Sequence, residues 1–240
     1  MLIRAALGLL LVTATPVAVH RAVSAGGVVK TYVQSATANS GGTCTTCTLT
    51  FSSPIGSGHA VVGAILYQDP GNTRTVSSIV DDKGNSYIVG AKVFDTAGGS
   101  NLSQAIFWRG NIPNGPTVLT ATMSASTGTA LQRADEYSGS AALVDPSDGT
   151  NSNYQITPPV TTDAVTSGTF TTTVINDLIW SVSTGVTGVL NTAGTGFTGR
   201  GNIVNYVATE DKNLAAAGST AGTWTYGGSG NVITQAVAIK

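Results

Sequence analysis

The chain has 240 residues, of which 41% are hydrophobic and 10% charged, with a formal net charge of −1. Disorder requires high net charge and few β-branched residues, and this chain has neither, so a folded protein is expected although its charge content is well below the usual quarter or so. No basic patch favours nucleic acid, and the residue types that carry acid–base or metal chemistry are scarce.

Residues 1–25 read as a secretory signal peptide. Arg4 is its basic start, residues 5–19 form an apolar run broken by threonines and Pro16, and Val23-Ser24-Ala25 is a small-residue cleavage signal. The uninterrupted apolar stretch is shorter than the ~20 residues needed to span a bilayer, and no later stretch is long enough. The expected product is residues 26–240, secreted or at the cell surface, with no membrane span in the mature chain. It retains nine basic and twelve acidic residues, one histidine (His59), two glutamates (Glu136 and Glu210) and two cysteines.

Cys44 and Cys47 stand in Gly41-Gly42-Thr43-Cys44-Thr45-Thr46-Cys47-Thr48. An even cysteine count in an exported chain points to a disulfide. Residues three apart on an ideal strand face opposite sides, so a turn is expected at the pair and the next strand is expected to begin at Thr48. A thioredoxin-like role lacks its βαβ context, and two ligands cannot close a zinc site.

Period-two alternation predicts strands at 28–34, 48–52, 60–67, 75–80, 86–94, 104–109, 117–123 and 131–137, then at 169–174, 178–183, 203–209, 223–226 and 232–239. Turn residues fall between them at Asp69-Pro70-Gly71-Asn72, at Asp81-Asp82-Lys83-Gly84-Asn85 and at Ile112-Pro113-Asn114-Gly115-Pro116, which predicts hairpins. Residues 129–137 contain good helix formers, but the alternating neighbours and the following Ser138-Gly139 favour a strand. Residues 140–168 are loop-like and read as a long crossover rather than a boundary, because the first half alone would leave an unprotected edge. The expectation is an all-β, single-domain β-sandwich of jelly-roll, lectin-like type with about thirteen short strands.

Several segments together carry a family resemblance. Asp81-Asp82-Lys83-Gly84-Asn85-Ser86-Tyr87, Ile106-Phe107-Trp108-Arg109-Gly110-Asn111, Glu136-Tyr137-Ser138-Gly139, Asn176-Asp177-Leu178-Ile179-Trp180 and the closing 232–239 strand resemble bacterial secreted and cell-surface jelly-roll β-sandwich domains of unassigned function. The resemblance implies a fold and transfers no catalytic residue.

Four kinds of site chemistry are candidates. Aromatic platforms bind sugars by stacking; alternation turns Trp108 and Trp180 toward the core and leaves Trp224 and Tyr226, on one face of a glycine-bounded strand, as the better exposed pair. Paired carboxylates would serve a glycoside hydrolase, but adjacent Asp135 and Glu136 face opposite sides of a strand, and no two acids alternate on one face around Glu136 or Glu210. Glu136 is therefore expected to be satisfied by Arg133 or by backbone donors. Asp145, Asp148 and Asn151 offer three side-chain oxygens in one loop, a partial calcium set, although turn formation explains the same residues. His59 has no evident metal or catalytic partner and reads as a strand-entry residue. An ice- or crystal-binding face would need threonine ranks on neighbouring strands, and Thr46-x-Thr48-x-Thr50 and Thr169-x-Thr171-x-Thr173 are scattered among unequal segments, so they read as ordinary solvent-facing threonines.

The sequence thus predicts an exported, non-catalytic module with no cofactor unless that loop binds calcium. Its partner would be a glycan or cell-surface polymer. Self-assembly by strand addition through residues 28–34 is the alternative, and hydrolysis ranks third.

Overall fold

A computed structural model describes residues 28–95, 101–113, 115–139, 155–157, 164–185, 191–203, 206–227 and 231–240. Residues 1–25, read above as a signal peptide, and the loop with Asp145, Asp148 and Asn151 lie outside the described residues. Among those described there is no α-helix, only a single 3-10 turn at Pro70–Asn72.

The strands of the first half are β1 (Thr31–Asn39), β2 (Cys44–Thr50), β3 (His59–Gln68), β4 (Val76–Asp81), β5 (Ser86–Val89), β6 (Val93–Phe94), β7 (Leu102–Ile112), β8 (Val118–Thr127) and β9 (Ala130–Ser138). The second half contributes β10 (Gln155–Thr157), β11 (Ala164–Thr166), β12 (Phe170–Thr172), β13 (Leu178–Gly185), β14 (Asn191–Ala193), β15 (Thr198–Ile203), β16 (Val207–Asn213), β17 (Gly218–Thr220), β18 (Thr223–Tyr226) and β19 (Val232–Ile239). Residues 129–137 are extended, as expected. The additional strands are mostly three-residue pieces in Gly- and Thr-rich segments too short to alternate visibly.

The first nine strands form one antiparallel sheet in the order β1-β9-β3-β7-β5-β4-β8-β2, with β6 pairing to β7. Its terminal strands β1 and β2 come alongside each other without a ladder, so the sheet is nearly closed. Gln34 crosses this seam: its Nε2 donates to Ser53 O at 3.0 Å, and Ser52 Oγ donates to Gln34 Oε1 at 3.2 Å. A second antiparallel sheet runs β10-β19-β13-β16-β15, covered by small sheets β11-β18-β14 and β12-β17.

Burial explains the hydrophobic runs. One side of the first sheet surrounds a core that includes Leu49, Phe51, Ile65, Ile79, Phe107 and Leu119. The opposite side of β3, β7 and β9 packs against the second sheet, where Val62, Ile106, Trp108 and Tyr137 meet Trp180, Val182, Val207 and Val237. Strand β3 is thus buried on both faces, so 60–67 is a strand as expected but is apolar on both sides where alternation implied one buried face. Strands β13 and β19 are likewise buried on both faces, their far sides meeting Phe170, Val165, Trp224 and Tyr226 of the outer strands.

Two local expectations are corrected. Only 81–85 of the three turn clusters closes a hairpin, between β4 and β5, because β3 pairs with β7 and β9 and β8 pairs with β2 and β4. The cysteine pair also needs no preceding turn. Cys44 and Cys47 are disulfide-bonded, with Cα atoms 5.6 Å apart, inside β2 itself. A register shift between Cys44 and Thr46 leaves Thr45 and Thr46 both exposed, so the alternation slips by one residue and both sulfurs reach the interior side.

Close packing at Gly63 yields a direct test. A Cβ there would sit 2.4 Å from the carbonyl oxygen of Arg133 and 2.4 Å from Phe107 Cζ, at the point where β3 crosses between β7 and β9. Gly63→Ala is expected to destabilise the fold by about 2 kcal/mol through overpacking, measured by denaturant unfolding. An unchanged midpoint would contradict this packing.

Candidate functional site

Most acidic groups among the described residues are turned inward. Of the nine Asp and Glu residues among those described, eight are buried and one, Asp82, is exposed. Asp82 and its neighbour Lys83 are the only charged described residues at exposed positions. The site-like chemistry therefore lies between layers.

Alternation on β9 builds the largest cluster. Arg133, Asp135 and Tyr137 share the face directed at the second sheet, where β16 presents Thr209 and Asp211 with the same two-residue spacing. Arg133 Nη2 donates to Asp135 Oδ1 at 2.9 Å and its Nε to Thr209 Oγ1 at 2.6 Å. Asp135 Oδ2 accepts from Trp180 Nε1 at 2.8 Å and from Thr209 Oγ1 at 2.9 Å. Tyr137 donates its hydroxyl to Asp211 Oδ2 at 2.5 Å, and Arg200 of β15 grips both oxygens of the same carboxylate at 2.5 and 2.8 Å. Arg200 also lies over the ring of Tyr32, 4.4 Å from its centroid, and Arg133 Nη2 donates to its carbonyl oxygen.

Electrostatics follow burial. Burial holds the Asp135 carboxyl above its usual range, opposed by Arg133, Trp180 and Thr209. Burial, with Asp135 and Asp211 nearby, pushes the Tyr137 hydroxyl well up, so it remains a neutral donor. Burial disfavours the Arg200 cation, but its bonds to Asp211 prevail and raise it. Both arginines are paired to carboxylates, and the cluster joins β9, β13, β15 and β16.

Glu136 faces the other side of β9, as alternation requires. Of its two expected kinds of partner, the backbone donor is present and Arg133 is not, since Arg133 lies on the opposite face with Asp135. Glu136 Oε1 accepts from Gly56 N at 2.8 Å and contacts His59 Nδ1 at 2.5 Å, while Oε2 accepts from Gln34 Nε2 at 2.6 Å. His59 thus has a partner that sequence reasoning missed. The signal lies in the ladder, since β3 enters beside β9 with Val61 opposite Glu136. Asp135 and Glu136 thus serve separate layers.

Glu210 sits on β16 between Thr209 and Asp211 and faces outward to the small sheet, where it accepts from Gly194 N at 2.8 Å and Thr223 N at 3.1 Å. Burial nevertheless raises its carboxyl to about 8, outweighing those two donors.

Trp224 and Tyr226 do not form an open platform. They are 2% and 0% exposed, because β18 turns this face onto the second sheet and leaves Thr225 outside. Trp224 Nε1 donates to Ser181 Oγ at 2.9 Å. Trp108 and Trp180 are core residues, as alternation predicts. Among the described residues no group of three or more His, Cys, Asp or Glu could hold a metal. Asp81, in the segment that carries the resemblance, accepts from Lys83 N at 3.0 Å and Asn85 N at 2.9 Å and organises the β4–β5 turn. Comparison with family models, curated proteins and solved structures finds no match to this chain.

Glu210 generates a pH prediction. Its folded-state value near 8 lies above the ordinary 4.5, so the folded chain retains a proton that the unfolded chain releases, and stability falls as pH rises through that window. Glu210→Gln is expected to flatten this decline and to be relatively more stable than the parent at alkaline pH, as read from unfolding midpoints across the window. Parallel pH profiles would contradict it.

Proposed function

We propose that the chain is an exported, non-catalytic β-module that attaches to an uncharged glycan or cell-surface polymer. The reading draws on the jelly-roll surface domains that its motifs resemble, treats residues 26–240 as one sandwich domain and takes residues 1–25 as its leader. The observation that carries it is the inverted placement of charge: carboxylates are consumed between layers, whereas exposed strand positions are dominated by threonine and serine. A hydrolase needs a carboxyl pair facing one substrate position, and here each acid of the β9 and β16 clusters is bonded within the protein. Attachment does not use Trp224 and Tyr226, which are inside; it uses the outer strand faces and the connections between them.

A second reading, assembly from copies of this chain by strand addition, is favoured by one observation. Strand β1 ends its sheet with a ladder on one side only, and Val28, Val29 and Val33 around it are 59%, 54% and 45% exposed.

One experiment separates the two. The purified chain is applied to an array of neutral and charged glycans and sedimented over a range of concentrations. The adhesion reading predicts retention on neutral glycans that resists added salt, because Asp82 and Lys83 are the only charged residues at exposed positions among those described. Silence across the array contradicts it, and concentration-dependent assembly alongside that silence transfers support to strand addition.

A further inference from the structure

The sheet ladder supplies the condition that the threonine pattern lacked in the sequence. Thr46 and Thr48 of β2 lie directly opposite Thr122 and Thr120 of β8, and on the other side of β8 the same two threonines face Ser78 and Val80 of β4. All six side chains fall on the outward side: Thr46, Thr48 and Thr122 are exposed, and Thr120, Ser78 and Val80 are half-buried. The intervening Cys47, Leu49, Ala121 and Ile79 point into the first core. The ranks are continuous across three neighbouring strands, not scattered.

We infer that this β2–β8–β4 face binds crystalline water, as an ice-binding surface. The inference goes beyond glycan attachment and does not depend on it. Antiparallel geometry places same-face side chains about 6.8 Å apart along a strand and about 4.8 Å apart between strands. The result is a rectangular net of hydroxyl and methyl groups on the length scale of ice planes.

Each threonine offers a hydroxyl that can join a water lattice and a methyl that water must enclose, and its β-branching restricts χ1, so little rotamer freedom is lost on docking. The lack of charge excludes acidic and basic polymers, and the repeated hydroxyl and methyl of the ranks suit ordered water. No Lys, Arg, Asp or Glu occupies an outward position within these ranks, and the Asp81 side chain at the end of β4 turns inward to its own hairpin. Such a face has nothing with which to recognise an acidic or basic polymer. It complements a neutral lattice whose surface consists only of water donors and acceptors. The apolar residues beneath the net and the Cys44–Cys47 disulfide at its end hold the backbone in place.

The test is inhibition of ice recrystallisation by the full chain, compared with Thr48→Lys/Thr120→Lys and with Thr37→Lys on the exposed side of β1. The parent and Thr37→Lys are expected to restrain crystal growth equally, and the double variant to lose about tenfold in potency, the scale of removing a central contact pair. Circular dichroism verifies that each variant folds, and Thr48→Ser/Thr120→Ser, which keeps the hydroxyls and removes the methyls, gives a milder replacement with an intermediate loss expected. Ice growth unaffected by the parent chain overturns the inference, as does full potency in the folded lysine variant. Because no glycan enters the assay, failure here leaves the attachment reading to its own array experiment.

Discussion

The fold depends on burying carboxylates and supplying those at the layer junctions with donors from other segments. A carboxylate removed from water without partners costs several kcal/mol, so these positions are tolerable only when the surrounding strands are in register. Glu136 ties the entry of β3 and the Gly56 turn to β1, Asp135 and Asp211 join the first sheet to the second, and Glu210 joins the second sheet to the outer strands. Asp81 and Asp69 do the same work locally, Asp69 accepting from Arg74 N, Lys92 Nζ and Ser103 Oγ, which together outweigh burial and lower its carboxyl. Geometry is thereby enforced at each layer by groups that tolerate little misplacement, while the apolar contacts between them supply most of the nonspecific driving force.

This arrangement accounts for the unusual surface. A chain with few charges that commits most of its described acids to the interior leaves threonine, serine and glycine outside. Such a surface has little means of long-range electrostatic steering and depends on close-range fit. Neutral attachment and ordered water are both compatible with that constraint.

Much of the architecture was legible in the residues. The strands 223–226 and 232–239 have the boundaries expected from alternation, and Asp135 and Glu136 face opposite sides as period two requires. The interior was harder to read. Alternation places Trp224 and Tyr226 on one face but does not identify what covers that face, and the second sheet, assembled from β13, β16 and β19, does so. His59 and Glu136 lie 77 positions apart and meet only through the β3–β9 ladder. The disulfide was recognisable, but the slip in strand register that permits it was not. Threonine ranks likewise belong to pairing between strands, a property absent from any one segment.

The most direct measurement compares unfolding of Asp135→Asn with Asp82→Asn, the one exposed carboxylate among the described residues. An asparagine at 135 removes the charge opposite Arg133 and turns an amide donor toward a group of donors, so about 3 kcal/mol of destabilisation is expected, against less than about 0.5 kcal/mol for the surface change. Equal and small losses in the two variants would contradict the claim that interior carboxylates hold the layers together.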